Sequence, residues 1–228
     1  MRSIISLIMA LMFACTVHAQ KDVTTFLGIP VDGTETEMKE KLIAKGFTPE
    51  SIGGKDFLEG EFNGCDVSLR IVTNNNKVFR IMVADANNQD EASIKIRFNK
   101  LVNQFENNKR YVYAHDFEIP DSEDISYEMT VNDKVYEAVF FQIPDIEKVD
   151  TTAVRSQARE ELLKDFSEEQ LNNPTEDDKQ AIENKILSMQ FDLISKKAVW
   201  FRICELYGGY YITMFYDNEY NRAHGEDL

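Results

Sequence analysis

The chain has 228 residues, and its 40 acidic side chains outnumber its 25 basic ones, which gives a formal charge of −15 at pH 7. The sequence contains no cluster of Lys and Arg of the kind that binds phosphate groups, so this balance argues against nucleic acid and anionic membranes as partners. Hydrophobic residues make up 43% of the chain, which is enough to bury a core and argues against intrinsic disorder.

The first 19 residues are typical of a cleavable signal peptide. Arg2 precedes an apolar run over residues 4–17, which is shorter than the roughly 20 apolar residues that a membrane-spanning helix needs. Residues 17–19, Val-His-Ala, supply the small-x-small pattern of a cleavage site. We therefore predict cleavage between Ala19 and Gln20 and export to the periplasm or the extracellular space.

Two alternatives to soluble export stay open. A retained N-terminal anchor is disfavoured because polar residues follow the apolar run at once, and lipidation of Cys15 is disfavoured by the bulky Phe13 before it. Cleavage leaves 209 residues in which we predict no transmembrane segment, and the loss of Arg2 changes the formal charge to −16. This acidity fits a solvated surface or, alternatively, a surface that binds cations or a basic partner.

Cys65 and Cys204 are the cysteines that remain after cleavage. In an oxidising compartment they are candidates for one disulfide, and on the chain-entropy model closing such a loop contributes about 4 kcal/mol. The alternative is two buried free thiols that pack as small apolar groups. The sequence leaves both open because it does not give the distance between the two residues.

The N-terminal half of the mature chain predicts a helix followed by a three-stranded meander. Thr34 and Glu37 have the spacing of a capping box and predict a helix over about residues 35–45. Alternating apolar and polar residues then predict strands separated by Asn-containing turns. These strands span about residues 57–62, 65–71 and 79–83.

The C-terminal half predicts two more pairs of strands with helices between them. Asp90 is the expected cap of a helix whose apolar residues recur at helical intervals from Ile94 to Phe105. A second hairpin follows over about residues 126–131 and 135–143, then helices over 151–166 and from Thr175, and finally strands over 197–207 and 210–216 joined at Gly208-Gly209.

This order of elements predicts an α+β protein with a mainly antiparallel sheet and helices packed on it. It is compatible with a loose duplication of a helix-plus-meander unit, with a helical insertion near residues 145–195. We predict one α+β domain over residues 20–228, with subunits at 20–115 and 116–228 as a further division.

The strands of the second half are apolar on both faces. Tyr136, Ala138 and Phe140 alternate with other apolar residues, whereas strands with one solvated face carry polar residues at alternate positions. We therefore expect the second face to be covered, either by the insertion helices or by a partner protein.

Residues 26–33, Phe-Leu-Gly-Ile-Pro-Val-Asp-Gly, run into the capped helix and Gly46-Phe47. This segment resembles the opening of a group of secreted bacterial proteins whose function is uncharacterised. A helix followed by an antiparallel meander is also similar, in architecture alone, to modules of the β-lactamase inhibitor protein and outer-membrane assembly lipoprotein type. That second resemblance implies binding to other proteins through a sheet face, although shared architecture does not establish shared function.

Motifs for catalysis or cofactor binding do not stand out, and we predict no catalytic, cofactor-binding or metal-ligating residue. His115 and His224 remain after cleavage, and neither has a histidine or cysteine within four residues, so the spacing of a zinc site is missing. Cys65 lies on the apolar face of a predicted strand, which favours a core or disulfide role over that of a nucleophile. Gly-rich nucleotide-binding motifs and serine-hydrolase motifs do not occur.

Acidic and aromatic clusters leave three further hypotheses. Paired carboxylates for glycoside hydrolysis need a set distance in space, which the sequence does not reveal. Two acidic clusters, Asp121-Glu123-Asp124 and Asp217-Glu219-Asn221, are candidate calcium ligands, and the alternative is that they lie in solvated loops. The aromatic residues of the C-terminal hairpin could form a binding platform, and the alternative is ordinary cross-strand packing. These residues are Tyr207, Tyr210, Tyr211, Phe215, Tyr216 and Tyr220.

The sequence therefore predicts an exported, non-catalytic module that binds a protein or another macromolecule, with an envelope or extracellular protein as the expected partner. The alternative from another class is a carboxylate-based hydrolase acting in the same compartments. A module that only assembles with other envelope proteins is a third reading.

Overall fold

The computed structural model describes residues 22–143 and 151–223. The predicted signal peptide, its cleavage site and Cys15 lie outside these residues, as does His224. The described part of the chain confirms the predicted α+β class and its antiparallel sheet. None of its helices is both long and apolar enough to cross a membrane.

Six α-helices and ten strands form in the described residues. The helices are α1 Glu35–Ile43, α2 Glu91–Glu106, α3 Ile125–Val131, α4 Thr151–Leu162, α5 Glu168–Asn172 and α6 Glu176–Ser195. The strands of the first half are β1 Thr25–Phe26, β2 Ile29–Pro30, β3 Thr48–Ile52, β4 Lys55–Phe62, β5 Cys65–Asn74 and β6 Lys77–Asp85. The strands of the second half are β7 Tyr111–Val112, β8 Glu137–Gln142, β9 Ala198–Leu206 and β10 Gly209–Asp217.

The chain divides into two compact units. The sheet unit contains residues 23–142 and 196–223, and the helical unit contains residues 151–195. Eight strands of the sheet unit form one antiparallel sheet in the order β3-β4-β5-β6-β10-β9-β8-β7, while β1 and β2 form a separate small hairpin.

The order of the strands in the sheet has an internal symmetry. In each half a helix precedes four strands in meander order: α1 leads into β3 to β6, and α2 leads into β7 to β10. The two meanders meet through their last strands, β6 and β10, which pair antiparallel. The second half differs by two additions, because α3 lies between β7 and β8 and the helices of residues 151–195 lie between β8 and β9.

The inner face of the sheet is the one that packs against α1, α2 and α3. Strand alternation places one row of aligned residues across six strands on this face. We call it the inner row: Leu58, Leu69, Val83, Met214, Phe201 and Ala138. All six are buried and join one core with the apolar side chains of the three helices.

Helices α1 and α2 begin at the capping residues that the sequence predicts. Thr34 and Glu37 form the predicted capping box of α1, whose Met38 and Leu42 are fully buried. Asp90 caps α2 by accepting a hydrogen bond from the Ser93 N–H at 2.8 Å. These two predicted helices and the three predicted strands between them are confirmed, although α1 ends at residue 43 and the strands extend beyond their predicted ends.

The predicted strand over residues 126–131 is wrong, because these residues form α3. The side chain of Asp124 accepts a hydrogen bond from the Tyr127 N–H at 2.8 Å, and Glu91 accepts one from the Ile125 N–H at 3.0 Å. Both bonds satisfy amides at the start of a helix, which otherwise lack partners. Ile125 and Met129, four residues apart, then pack on the core.

The helical unit has its own small core. Helices α4 and α6 occupy the positions of the two predicted helices. Helix α5, which was not predicted, begins with a capping box formed by Ser167 and Gln170. Leu162 and Ile186 are buried at the centre. Partly buried side chains surround them: Phe166, Leu171, Ile182, Met189 and Leu193.

Candidate functional site

The face of the sheet opposite the inner row carries a second aligned row, which we call the outer row. It crosses five strands and consists of Arg70, Met82, Phe215, Trp200 and Val139. Arg70 is exposed, Phe215 is buried, and the other three are half-buried. This face therefore presents a cation and large apolar side chains where strands with one wet face usually carry small polar groups.

Trp200 and Phe215 form an aromatic pair at the centre of the outer row. Their rings stack with centroids 3.9 Å apart and an interplanar angle of 17°. The guanidinium of Arg80 lies over both rings, 4.9 Å from the centroid of Phe215 and 5.4 Å from that of Trp200. Cation–π attraction of this kind is worth more where water is partly excluded, as it is here.

Asp217 fixes the position of Arg80. The Arg80 Nε and Nη2 atoms donate to the two Asp217 carboxylate oxygens at 2.6 and 2.7 Å, and the Trp200 Nε1–H donates to Oδ2 of the same carboxylate at 2.9 Å. The Asp217 side chain is 4% exposed and that of Arg80 is 21% exposed. We call Arg80, Trp200, Phe215 and Asp217 the outer cluster, because one bidentate pair and one stack hold all four groups rigidly.

A second Arg–Asp pair lies on the opposite face. Arg97 of α2 donates to both carboxylate oxygens of Asp85 on β6, with an Nε to Oδ2 distance of 2.7 Å. The Asp85 carboxylate also accepts from the Ile212 N–H at 3.1 Å. Burial lowers the pKa of Arg97, but Asp85 and the nearby Cys65 thiol raise it by more, so the guanidinium keeps its charge.

The two enclosed carboxylates do not supply the pair that a glycoside hydrolase needs. Asp85 lies on the inner face and Asp217 on the outer face, so the sheet separates them. Each is bound by an arginine, whereas acid–base catalysis needs two facing carboxyl groups with different proton affinities.

The two cysteines lie on different strands and faces. Both are free thiols. Cys65 lies on β5 and Cys204 on β9, and strands β6 and β10 lie between them in the sheet. Three strand spacings amount to about 14 Å, which is beyond the reach of a disulfide. In the structure both are therefore free thiols, and both are half-buried rather than buried.

Most members of the two acidic clusters bind other groups of the same chain. Asp124 caps α3, and Glu123 accepts hydrogen bonds from Lys134 and from the Tyr136 hydroxyl, the latter at 2.6 Å. Glu219 pairs with Arg222. Nowhere in residues 22–143 and 151–223 do three or more His, Cys, Asp or Glu side chains come together as a metal site.

The aromatic residues of the C-terminal hairpin do not form a continuous platform. Tyr210, Phe215 and Tyr216 are buried, and they divide between the two faces of the sheet. Tyr207, at the turn, is 98% exposed. Cross-strand packing therefore accounts for the buried members of this set, and the outer cluster takes only Phe215 from it.

The outer cluster was not predicted from the sequence. Period-2 alternation places Trp200 and Phe215 on the face opposite Phe201 and Met214, which is a signal that could have singled them out. The pairing of β6 with β10, which brings Arg80 to Asp217 across 137 positions, has no local signal. The cover predicted for the second face of these strands stays a prediction.

Fold and site define an α+β protein with an antiparallel eight-stranded sheet and a rigid arginine–aromatic cluster on one face. Comparisons of the chain with protein-family models, curated proteins and solved structures gave no match.

Proposed function

We propose that the protein is exported and acts by binding another protein through the outer face of its sheet, without catalysing a reaction. The observation that carries this proposal is the outer row. Trp, Met and Arg are enriched at protein interfaces, and Trp and Arg are among the residues that dominate the binding energy. Here Trp200, Met82 and Arg70 lie in one line across the sheet.

The outer cluster supports this role because it is preorganised. Binding costs less when interface side chains are already held in one conformation. The stack with Phe215, the guanidinium of Arg80 and the hydrogen bond to Asp217 each restrict Trp200.

The charges of the face indicate the chemistry of the partner. Arg70 and Arg202 are exposed, and alternation places Arg202 on the same face as Trp200. A partner with an apolar centre bordered by carboxylates satisfies both guanidiniums, which pair readily with carboxylates in bidentate geometry.

Site-specific photo-crosslinking in cells tests the binding surface. A benzophenone amino acid in place of Ser68, a half-buried residue of the outer face beside Arg70, is expected to give one crosslinked product of defined mass. The matched control places the same amino acid at Ile96 of α2, which is 71% exposed on the other side. Equal crosslinking from both positions, or none from Ser68, contradicts the proposal.

Export is tested separately by the mass of the mature protein. Cleavage as proposed gives a chain that begins at Gln20, recovered outside the cytoplasm. An intact Met1 contradicts export, and a lipid-modified Cys15 replaces soluble export with membrane anchoring.

A further inference from the structure

One edge of the eight-stranded sheet is only partly covered. At this edge β7 pairs with β8 at two positions, Tyr111 with Gln142 and Val112 with Phe141. The preceding residues of β8 pair with β9 on one side. Within residues 22–143 and 151–223, no strand pairs with them on the other side.

The register shows which backbone groups face this gap. The Ile203 N–H donates to the Tyr136 carbonyl, and the Gln142 N–H donates to the Lys197 carbonyl, both at 3.0 Å. Even-numbered residues of β8 therefore direct their backbone groups towards β9, and antiparallel alternation directs those of Glu137 and Val139 the other way. We call the N–H and C=O groups of these two residues the free edge of β8.

The side chains along the free edge are partly or fully exposed. Glu137 is exposed, Val139 is half-buried, and Val135, just before the strand, is 60% exposed. The opposite edge of the sheet is different, because β3 carries Pro49 at its second position. An edge proline places its nitrogen on the solvent side, where it offers no N–H to a further strand.

The surroundings of the free edge are acidic. The Tyr136 hydroxyl, on the inner face just before β8, donates to Glu123 at 2.6 Å, and burial, this bond and the charges of Glu123, Glu128 and Asp124 raise the pKa of Tyr136. Glu137, which is exposed at the start of β8, adds a fourth carboxylate. Lys134, the cation nearest in sequence, is bound to Glu123.

We propose that the free edge of β8 accepts an extended segment of another protein as an added antiparallel strand, and that this segment carries an apolar residue followed two positions later by Lys or Arg. The apolar residue lies opposite Val139 and the basic one opposite Glu137, with both side chains on the outer face. This inference rests on the proposed function as a binding protein, and it uses the sheet edge beside Val139, the last residue of the outer row.

A second copy of the chain fits this edge less well. Twofold pairing of β8 with itself brings the two Glu137 carboxylates towards each other, and like charges across neighbouring strands are destabilising. The formal charge of −15 adds repulsion between whole molecules.

Binding of a fluorescent, capped peptide with the central sequence Val-Thr-Lys tests the mode of binding. In an added antiparallel strand, the Val and Lys N–H groups face β8 and the Thr N–H faces away. N-methylation of Val and Lys is expected to weaken binding at least about tenfold, which corresponds to about 1.4 kcal/mol. The matched peptide, N-methylated at Thr, is expected to bind as the parent does. Equal loss from both peptides, or no binding of the parent, overturns the inference.

Two protein variants test the location. Val139→Pro removes an N–H that makes no bond in the sheet, so the fold is expected to persist, as β3 tolerates Pro49, while peptide binding is lost. The control is Ser51→Pro on β3, which is expected to leave binding unchanged. Should Val139→Pro unfold in circular dichroism, Glu137→Lys replaces it, with a Val-Thr-Glu peptide expected to bind this variant better than Val-Thr-Lys.

The outcomes separate this inference from the proposed function. Crosslinking from Ser68 without peptide binding overturns strand addition and leaves outer-face binding intact. Peptide binding without crosslinking from Ser68 overturns outer-face binding and leaves strand addition at β8 intact. A concentration-dependent dimer that Val139→Pro abolishes assigns the free edge to a second copy and overturns the proposed partner.

Discussion

The two faces of the sheet use the same strands in different ways. On β9, Phe201 points into the inner row with no exposed surface, and its neighbour Trp200 points to the outer row and stays half-buried. The inner row is held by burial among helices, while the outer cluster is held by hydrogen bonds and ring stacking around one carboxylate. Alternation thus lets a single strand stabilise the fold with one set of residues and present a surface with the other.

The two Arg–Asp pairs extend this comparison to charges. The inner pair, Asp85 and Arg97, has side chains 5% and 10% exposed, and the outer pair has an arginine that is 21% exposed. Arg80 therefore reaches water where Arg97 hardly does, so removal of the carboxylate has different consequences on the two faces.

Phe201→Ala and Trp200→Ala give the largest expected contrast. Phe201 is fully buried among Phe98, Phe105 and Phe140, so its truncation is expected to cost about 3–5 kcal/mol of unfolding free energy. Trp200→Ala is expected to cost about half as much, because part of its ring is already in water. Urea titrations measure both values, and a larger loss for Trp200 contradicts the division of roles between the faces.

Removal of the two carboxylates gives the next largest effect. Asp85→Ala leaves the Arg97 charge enclosed and unpaired, which is expected to cost about 3 kcal/mol. Asp217→Ala is expected to cost less, because Arg80 can turn towards solvent. The double variant Asp85→Leu with Arg97→Met is the control and is expected to recover most of the stability, since no unpaired charge remains. Equal losses for the two single variants indicate that exposure of the arginine does not matter.

A pH-dependent effect is expected at the end of the inner-face helix α2. Burial and the charges of Asp116 and Glu118 raise the pKa of Glu106, so the stability that the protonated form contributes is present at low pH and lost as pH rises through this raised pKa. Glu106→Gln is therefore expected to raise Tm at pH 7 and to leave it unchanged below pH about 4. Glu40→Gln on the exposed side of α1 serves as the control. A lower Tm for Glu106→Gln at pH 7 contradicts the sign of this effect.

Arg70→Glu is expected to have the smallest effect on stability. Arg70 is exposed at the end of the outer row, so the change in unfolding free energy should stay within about 0.5 kcal/mol. Crosslinking from Ser68 should nevertheless fall, because the charge offered to the partner is reversed. A large loss of stability means that Arg70 serves the fold rather than a surface.

Most elements of the fold could be predicted from local patterns. Capping residues such as Thr34 and Asp90, and strands with strict alternation, have signals within a few residues. The helix α3 was missed because its β-branched and aromatic residues favour a strand, whereas the contact with Glu91, 34 positions away, supports a helix. Strand β3 was missed because Pro49 and the charge of Glu50 are typical of loops.

For the candidate site, the sequence predicts which residue types are present but not which of them come together. Aromatic residues in the C-terminal hairpin were evident, but their division between two faces depends on the register of β9 with β10. Arg80 and Asp217 meet because the last strands of the two meanders pair, and the free edge of β8 exists because β7 has only two residues. Such features arise from topology, which short windows of sequence do not contain.

Pro49 and the short strand β7 make the two ends of the sheet unequal, and this limits how large an assembly can grow. A filament that grows by pairing of sheet edges needs two edges on every molecule that can each pair with a neighbouring molecule. Here Pro49 removes one N–H from the β3 edge, and β8 offers only the groups of Glu137 and Val139. We therefore expect association along the strand-pairing direction to end after one added strand, so that an edge which receives a ligand as proposed does not propagate a fibre.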